Sequence, residues 1–106
     1  MTSCGSPVAE RPSPAPVAAP LAGYLGAEVV LDLRAPMVVI GRLVEAGAEF
    51  FVLADADVHD MHDARSTKER YILEARKHGV RPNRAEVLVR AGEVIAISRL
   101  EDVIAY

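Results

Sequence analysis

The residues best suited to chemistry fall in one stretch, 54–79, which reads ADADVHDMHDARSTKERYILEARKHG. Asp55, Asp57, Asp60 and Asp63 surround His59 and His62, and carboxylate with imidazole is a donor set for zinc or another borderline cation. Asp55, Asp57 and His59 would line one strand face, with His62 and Asp63 following. Residues two apart on a strand stand about 6.6 Å apart at a rise of ~3.3 Å and diverge, so a partner element has to close such a site. The same groups suit acid/base work, because imidazole titrates near neutrality and carboxylates orient it. The nearest nucleophile in sequence is Ser66, whose position suits a helix cap, and there is no Cys pair and no HExxH. The sequence therefore predicts neither a metal centre nor an enzyme here, and reads the cluster as the polar exit of a strand.

Two other groups are suited to anions. Arg90, Ala91 and Gly92 form a turn in which a guanidinium stands beside backbone amides, an arrangement that can hold phosphate. Residues 65–84 carry seven basic residues (Arg65, Lys68, Arg70, Arg76, Lys77, Arg81, Arg84) against Glu69 and Glu74. That local balance of +5 in a chain of net charge −3 leaves −8 for the remainder. Lys68, Arg76 and Lys77 are the candidates for contacts to a nucleic-acid backbone, with no sequence preference implied.

The elements that position these residues follow from hydrophobic spacing. Leu21 to Leu25 allow a helical turn stopped by Gly26, and "EVVLDL" alternates as a strand, with Val29, Leu31 and Leu33 on one face. "RAPM" turns the chain, "VVIGRLVE" is a second strand bent at Gly41, and "EFFVLADADV" is a third. Alternation predicts Phe50, Val52, Ala54, Ala56 and Val58 on one face of that third strand and Phe51, Leu53, Asp55, Asp57 and His59 on the other. "STKE" has capping-box spacing, with Ser66 as the cap and Glu69 reaching back. The following helix is predicted over Thr67 to His78, with cations in its last turn, Gly79 after it, and Tyr71, Ile72 and Ala75 facing the core. Two short strands, "EVLVR" and "EVIAISRL", close the chain around the turn "AGE".

Composition narrows the class. The chain of 106 residues is 51% hydrophobic but only 5% aromatic, so Val, Leu, Ile and Ala must build the core. A domain this small buries only about 60% of its unfolded surface, and its apolar richness points towards self-association. Residues 1–20, with Pro7, Pro12, Pro14, Pro16 and Pro20, are predicted to be a disordered Pro/Ala-rich tail, leaving residues 21–106 as one domain. Cys4 is the single cysteine, which excludes an intrachain disulfide and suits a reducing cytoplasm. "MTSCGSPV" lacks the basic and apolar regions of a signal peptide, and no apolar run approaches the length of a membrane span.

Five short strands after a short helix suggest a small SH3-like barrel. "GAEVVLDLRAPMVVIGRLVEAGAEFFVLADAD" resembles the first motif of the Sm, LSm and Hfq superfamily, through "VIGRL" and the terminal Asp55. "VLVRAGEVIAISRL" resembles the second motif, normally an apolar strand ending in Arg-Gly. The resemblance covers roughly residues 21–60 and 85–101 and places the 67–78 helix in the connection between the third and fourth strands. It implies a mainly β fold: an open five-stranded Sm-like barrel with a short N-terminal helix and that inserted helix. It further implies a homo-oligomeric ring, hexameric or heptameric, closed by strand four of one subunit on strand five of the next, with RNA as the partner and no cofactor. In the family an Asp and then Met-Asn precede or open the third strand, and the Asn reads uracil. Here those positions hold Gly47, Phe50 and Phe51, and Ala91 stands where the second motif has Gly, with Gly92 one place later. A phenylalanine can stack on a base but cannot hydrogen-bond its edge. The expected RNA contacts are thus Arg90, Ala91, Gly92, Phe50 and Phe51, with Lys68, Arg76 and Lys77. The rival expectation is an assembly or regulatory module that keeps the ring and has lost uracil-specific binding.

Overall fold

The computed structural model describes residues 19–61 and 67–104. Most of the 1–20 tail, Cys4, and also His62, Asp63, Arg65 and Ser66 lie outside the described residues. A short helix α1 (Ala19–Ala22) leads into β1 (Glu28–Leu33), β2 (Met37–Ala46) and β3 (Phe50–Asp60), then α2 (Lys68–His78), β4 (Arg84–Arg90) and β5 (Val94–Arg99). The strands form one antiparallel sheet in the order β4-β3-β2-β1-β5. Its ends, β4 and β5, pair with β3 and β1 and not with each other, so the sheet is open. The fold is mainly β, with the helix inserted between the third and fourth strands as expected. The first helix sits slightly earlier than the Leu21–Leu25 turn expected from sequence.

Valine and isoleucine alternate so that β1 and β2 are buried on both faces. Val29, Leu31, Val39, Leu43, Phe51, Leu53, Ala56 and Val89 make one core. Val87 of β4 and Val94 and Ile97 of β5 pack on that same cluster, so the two ends of the sheet curl towards each other. On the other face Val30, Val38 and Ile40 meet Ile72 and Ala75 of α2, together with Leu100. The inserted helix is therefore the cover of a second core, held also by Lys68 to Asp32 at 3.7 Å and by Arg76 Nε donating to the carbonyl of Glu101 at 3.3 Å. No described helix is long and apolar enough to cross a membrane.

The bend in the sheet is built at Gly41 and Asp55. Ile40 pairs with Asp57 and Arg42 with Ala54, so Gly41 faces two residues of β3, a bulge with one extra residue. Asp55 takes that extra place at φ 50, a left-handed conformation that Asp tolerates better than bulkier residues. A Cβ on Gly41 would meet both Cα and Cβ of Ala56 at 2.9 Å, so only glycine lets the strands approach this closely.

This bulge corrects the face assignment of β3. Simple alternation puts Phe51, Leu53, Asp55, Asp57 and His59 together, but Phe51, Leu53 and Ala56 are the buried positions. The phase slips by one at Asp55, which sends Asp57 and His59 to the α2 face, beside their register partners Ile40 and Val38. A strand read by its period of two cannot reveal an inserted residue.

Candidate functional site

Three described members of the aspartate and histidine cluster, Asp55, Asp57 and His59, make contacts within the fold. Asp55 is exposed and accepts from Arg42 Nη1 at 3.0 Å. Asp57 accepts from the Tyr71 hydroxyl on one oxygen and from Asn83 Nδ2 at 3.1 Å on the other. Asn83 also brackets Val58, accepting from its N–H and donating to its carbonyl, both at 3.0 Å, which fastens the start of β4 to β3. The His59 ring stacks on Tyr71 with centroids 4.2 Å apart and planes at 19°. Burial first, then the hydrogen bond to Asp57 and that carboxylate's charge, push the Tyr71 phenol well above its ordinary range. Among the described residues no group of three or more His, Cys, Asp and Glu side chains is placed to hold a metal ion.

The helix cap is Thr67 rather than Ser66. Its side chain accepts from the N–H of Arg70 at 3.2 Å, which makes Lys68 the first helical residue. A cap one place later moves Glu69 out of capping-box register, and the "STKE" spacing is not used as read. Gly79 follows the helix at φ 92, where glycine is favoured, and its N–H reaches the carbonyl of Ala75 at 2.8 Å.

A different group converges at the far end of β3. Phe50 and Arg90 are direct cross-strand partners, and Phe51 pairs with Val89. Phe50, Arg90 and Gly92 line a cleft of about 330 Å³ with Ala48, Glu49 and Glu93. Phe50 is 39% exposed, whereas Phe51 is 7% exposed and lies in the core. Phe51 is accordingly withdrawn from the expected contacts, because adjacent strand residues point to opposite faces. Ala91 is corrected as well: its N–H donates to the carbonyl of Glu49 at 2.8 Å, and its side chain packs on the core. Its amide is thus not turned to an anion, and Ala91–Glu93 form a 3-10 turn.

The cleft holds residues that the sequence reading passed over. Glu49 and Glu93 flank Arg90 on its rim, and no ion pair joins them to it among the described residues. Arg34, from the turn between β1 and β2, donates from Nη2 to the carbonyl of Gly92 at 3.3 Å, and its N–H reaches the carbonyl of Glu93 at 2.7 Å. Arg34 is a long-range contact and left no local signal. Glu49 did leave one, being the residue just before Phe50. Lys68, Arg76 and Lys77 stand elsewhere. They belong to α2, which covers the sheet where β3 reaches Asp57 and His59, roughly 20 Å along the strand from Phe50 at ~3.3 Å per residue. The two basic groups joined in the sequence reading are separate surfaces.

No family model matches the chain, and no curated protein matches it. Among solved structures, the Sm protein of Pyrococcus abyssii, in complex with a uridine heptamer, aligns at a TM-score of 0.52 and 22% identity. The alignment covers 74% of this chain and 90% of that one. A chain of the NatC complex bound to Gag peptide and CoA aligns over 73% of this chain and 86% of that chain at 18% identity, with a TM-score of 0.48, too low to support a shared fold. At such identities likeness speaks for architecture alone. Taken with the open five-stranded sheet and its inserted helix, the first alignment gives this chain an Sm-like fold.

Proposed function

We propose that the chain is a non-enzymatic Sm-like module of the cytoplasm that assembles into a homo-oligomeric ring and binds RNA at the Phe50 and Arg90 cleft. The observation that carries this reading is the convergence of an exposed ring, Phe50, and a guanidinium, Arg90, on paired strands of an Sm-like fold. Aromatic faces stack on bases of single-stranded nucleic acid, and a guanidinium supplies both charge and directed donors. That the structural neighbour is in complex with a uridine heptamer supports the same reading. The exposed Lys77 of α2, with its neighbours, adds a second basic surface that can track phosphates without reading sequence.

The test is equilibrium binding of the full chain to short single-stranded RNA at several salt concentrations. Affinity should fall steeply with salt, since phosphate contacts release counterions. Arg90→Ala should weaken binding by roughly tenfold, the scale of a hydrogen bond to a charged group. An Arg90→Ala chain that binds as the parent does would end this reading.

One observation favours the assembly module instead. The position at which the family carries its uracil-reading Asn is the buried Phe51, so no amide faces the cleft from there. That rival keeps the ring and predicts no RNA affinity at any salt concentration.

A further inference from the structure

The rim of the Arg90 cleft is wrong for a phosphate and right for a base with a donor edge. Two carboxylates, Glu49 and Glu93, border it with Arg90, and like charges repel a phosphate. The Ala91 amide, which could have offset that repulsion, is engaged by the Glu49 carbonyl. A carboxylate is an acceptor with two oxygens, and it matches two parallel N–H donors. Guanine alone among the four RNA bases offers such a pair, N1–H and the N2 amino group, on its Watson–Crick edge. Its other edge carries O6 and N7, the acceptors that an arginine takes bidentately. Uracil offers a single donor, N3–H, between two acceptors, which suits an amide side chain and not a carboxylate.

Resting on the RNA-binding reading above, we infer that the cleft is a guanine-selective pocket. Phe50 stacks on the base, Arg90 takes O6 and N7, and the carboxylate of Glu49 or Glu93 takes N1–H and the N2 amino group. Arg34 positions the wall, because its two hydrogen bonds to Gly92 and Glu93 hold the turn that carries Glu93. The volume of about 330 Å³ is at the lower end of small-molecule sites, which suits a single base.

The experiment is fluorescence anisotropy of the full chain with uridine heptamers whose central residue is uridine, adenosine, guanosine, inosine or 7-deazaguanosine. The guanosine heptamer should bind roughly tenfold or more tightly than the all-uridine one. Inosine, which lacks the N2 amino group, and 7-deazaguanosine, which lacks N7, should each lose most of that gain. In the Glu49→Gln, Glu93→Gln double variant the preference should fall to near unity while uridine binding holds or tightens, since two repelling charges are removed. Both glutamates are exposed, so the fold survives the change. Equal affinity for uridine and guanosine heptamers would overturn the guanine pocket and leave RNA binding standing. A guanosine preference that inosine keeps, or that the double variant keeps, would overturn the carboxylate readout. Binding to none of the heptamers would remove both readings together.

Discussion

Gly41 shows how one residue decides the shape of the sheet and, through it, the place of every side chain beyond. A methyl group there would stand 2.9 Å from two atoms of Ala56 and 3.2 Å from the carbonyl of Ala54. Two of those three atoms are backbone, so nothing can rotate away. Gly41→Ala should destabilise the protein by about 1–3 kcal/mol, the usual cost of overpacking a filled core. Urea unfolding followed by circular dichroism measures this, and an unmoved midpoint would show that the two strands part without cost. The sequence flags Gly41 as a bend, and the bend is there. It does not flag Asp55, because an aspartate in left-handed conformation is written with the same letter as one in a strand. The whole misassignment of Asp57 and His59 to the Phe51 face follows from that one residue.

At the scale of elements, the strands and α2 were legible because their apolar periods are long and their ends are punctuated. β1 is found over the stretch expected, and α2 differs by a single residue at its cap. What α2 does was not legible. The basic run over 65–84 reads as an anion-binding face, yet Ile72, Ala75 and Tyr71 make the helix a lid over Val30, Val38 and Ile40, and two of its cations are engaged by Asp32 and by the Glu101 carbonyl. Such contacts join residues far apart in the chain, which no local pattern encodes. The seam between lid and sheet is the Tyr71 hydroxyl on Asp57. Because the folded state raises the Tyr71 phenol above its unfolded value, the native protein keeps a proton that the unfolded chain gives up. That contribution is complete below the unfolded value, about pH 10, and is lost as pH climbs from there towards the folded value. Stability should therefore decline above about pH 10 more steeply in the parent than in Tyr71→Phe, which lacks the titrating group. Thermal melts of the two proteins across that range would measure it, and parallel pH profiles would mean that Tyr71 is not the linked group.

For the molecule as a whole, the question is what becomes of its two open edges. β4 and β5 each present a row of unpaired backbone groups, which proteins normally cover, charge or break. β4 is charged at the exposed Arg84, Glu86 and Arg90, yet the two edges also carry Leu88 and Ile95, exposed by 55% and 62%. Two arrangements would cover them. A β4 edge can meet the β5 edge of the next copy, a heterologous contact that propagates into a ring, or like edges can meet in a two-fold dimer. Charge reversal across the edges separates the two. Leu88→Asp or Ile95→Lys alone buries an uncompensated charge, costing about 3–5 kcal/mol per contact, and should leave monomers in native mass spectrometry. With both changes in the same chain, a ring brings the new carboxylate on β4 of one copy and the new ammonium on β5 of the next into one interface, and assembly should return in part. In a two-fold dimer the same double variant sets like charge against like, and the monomer should persist. A parent chain that is already monomeric would mean that the edges stay solvated, and the proposed ring would go with them.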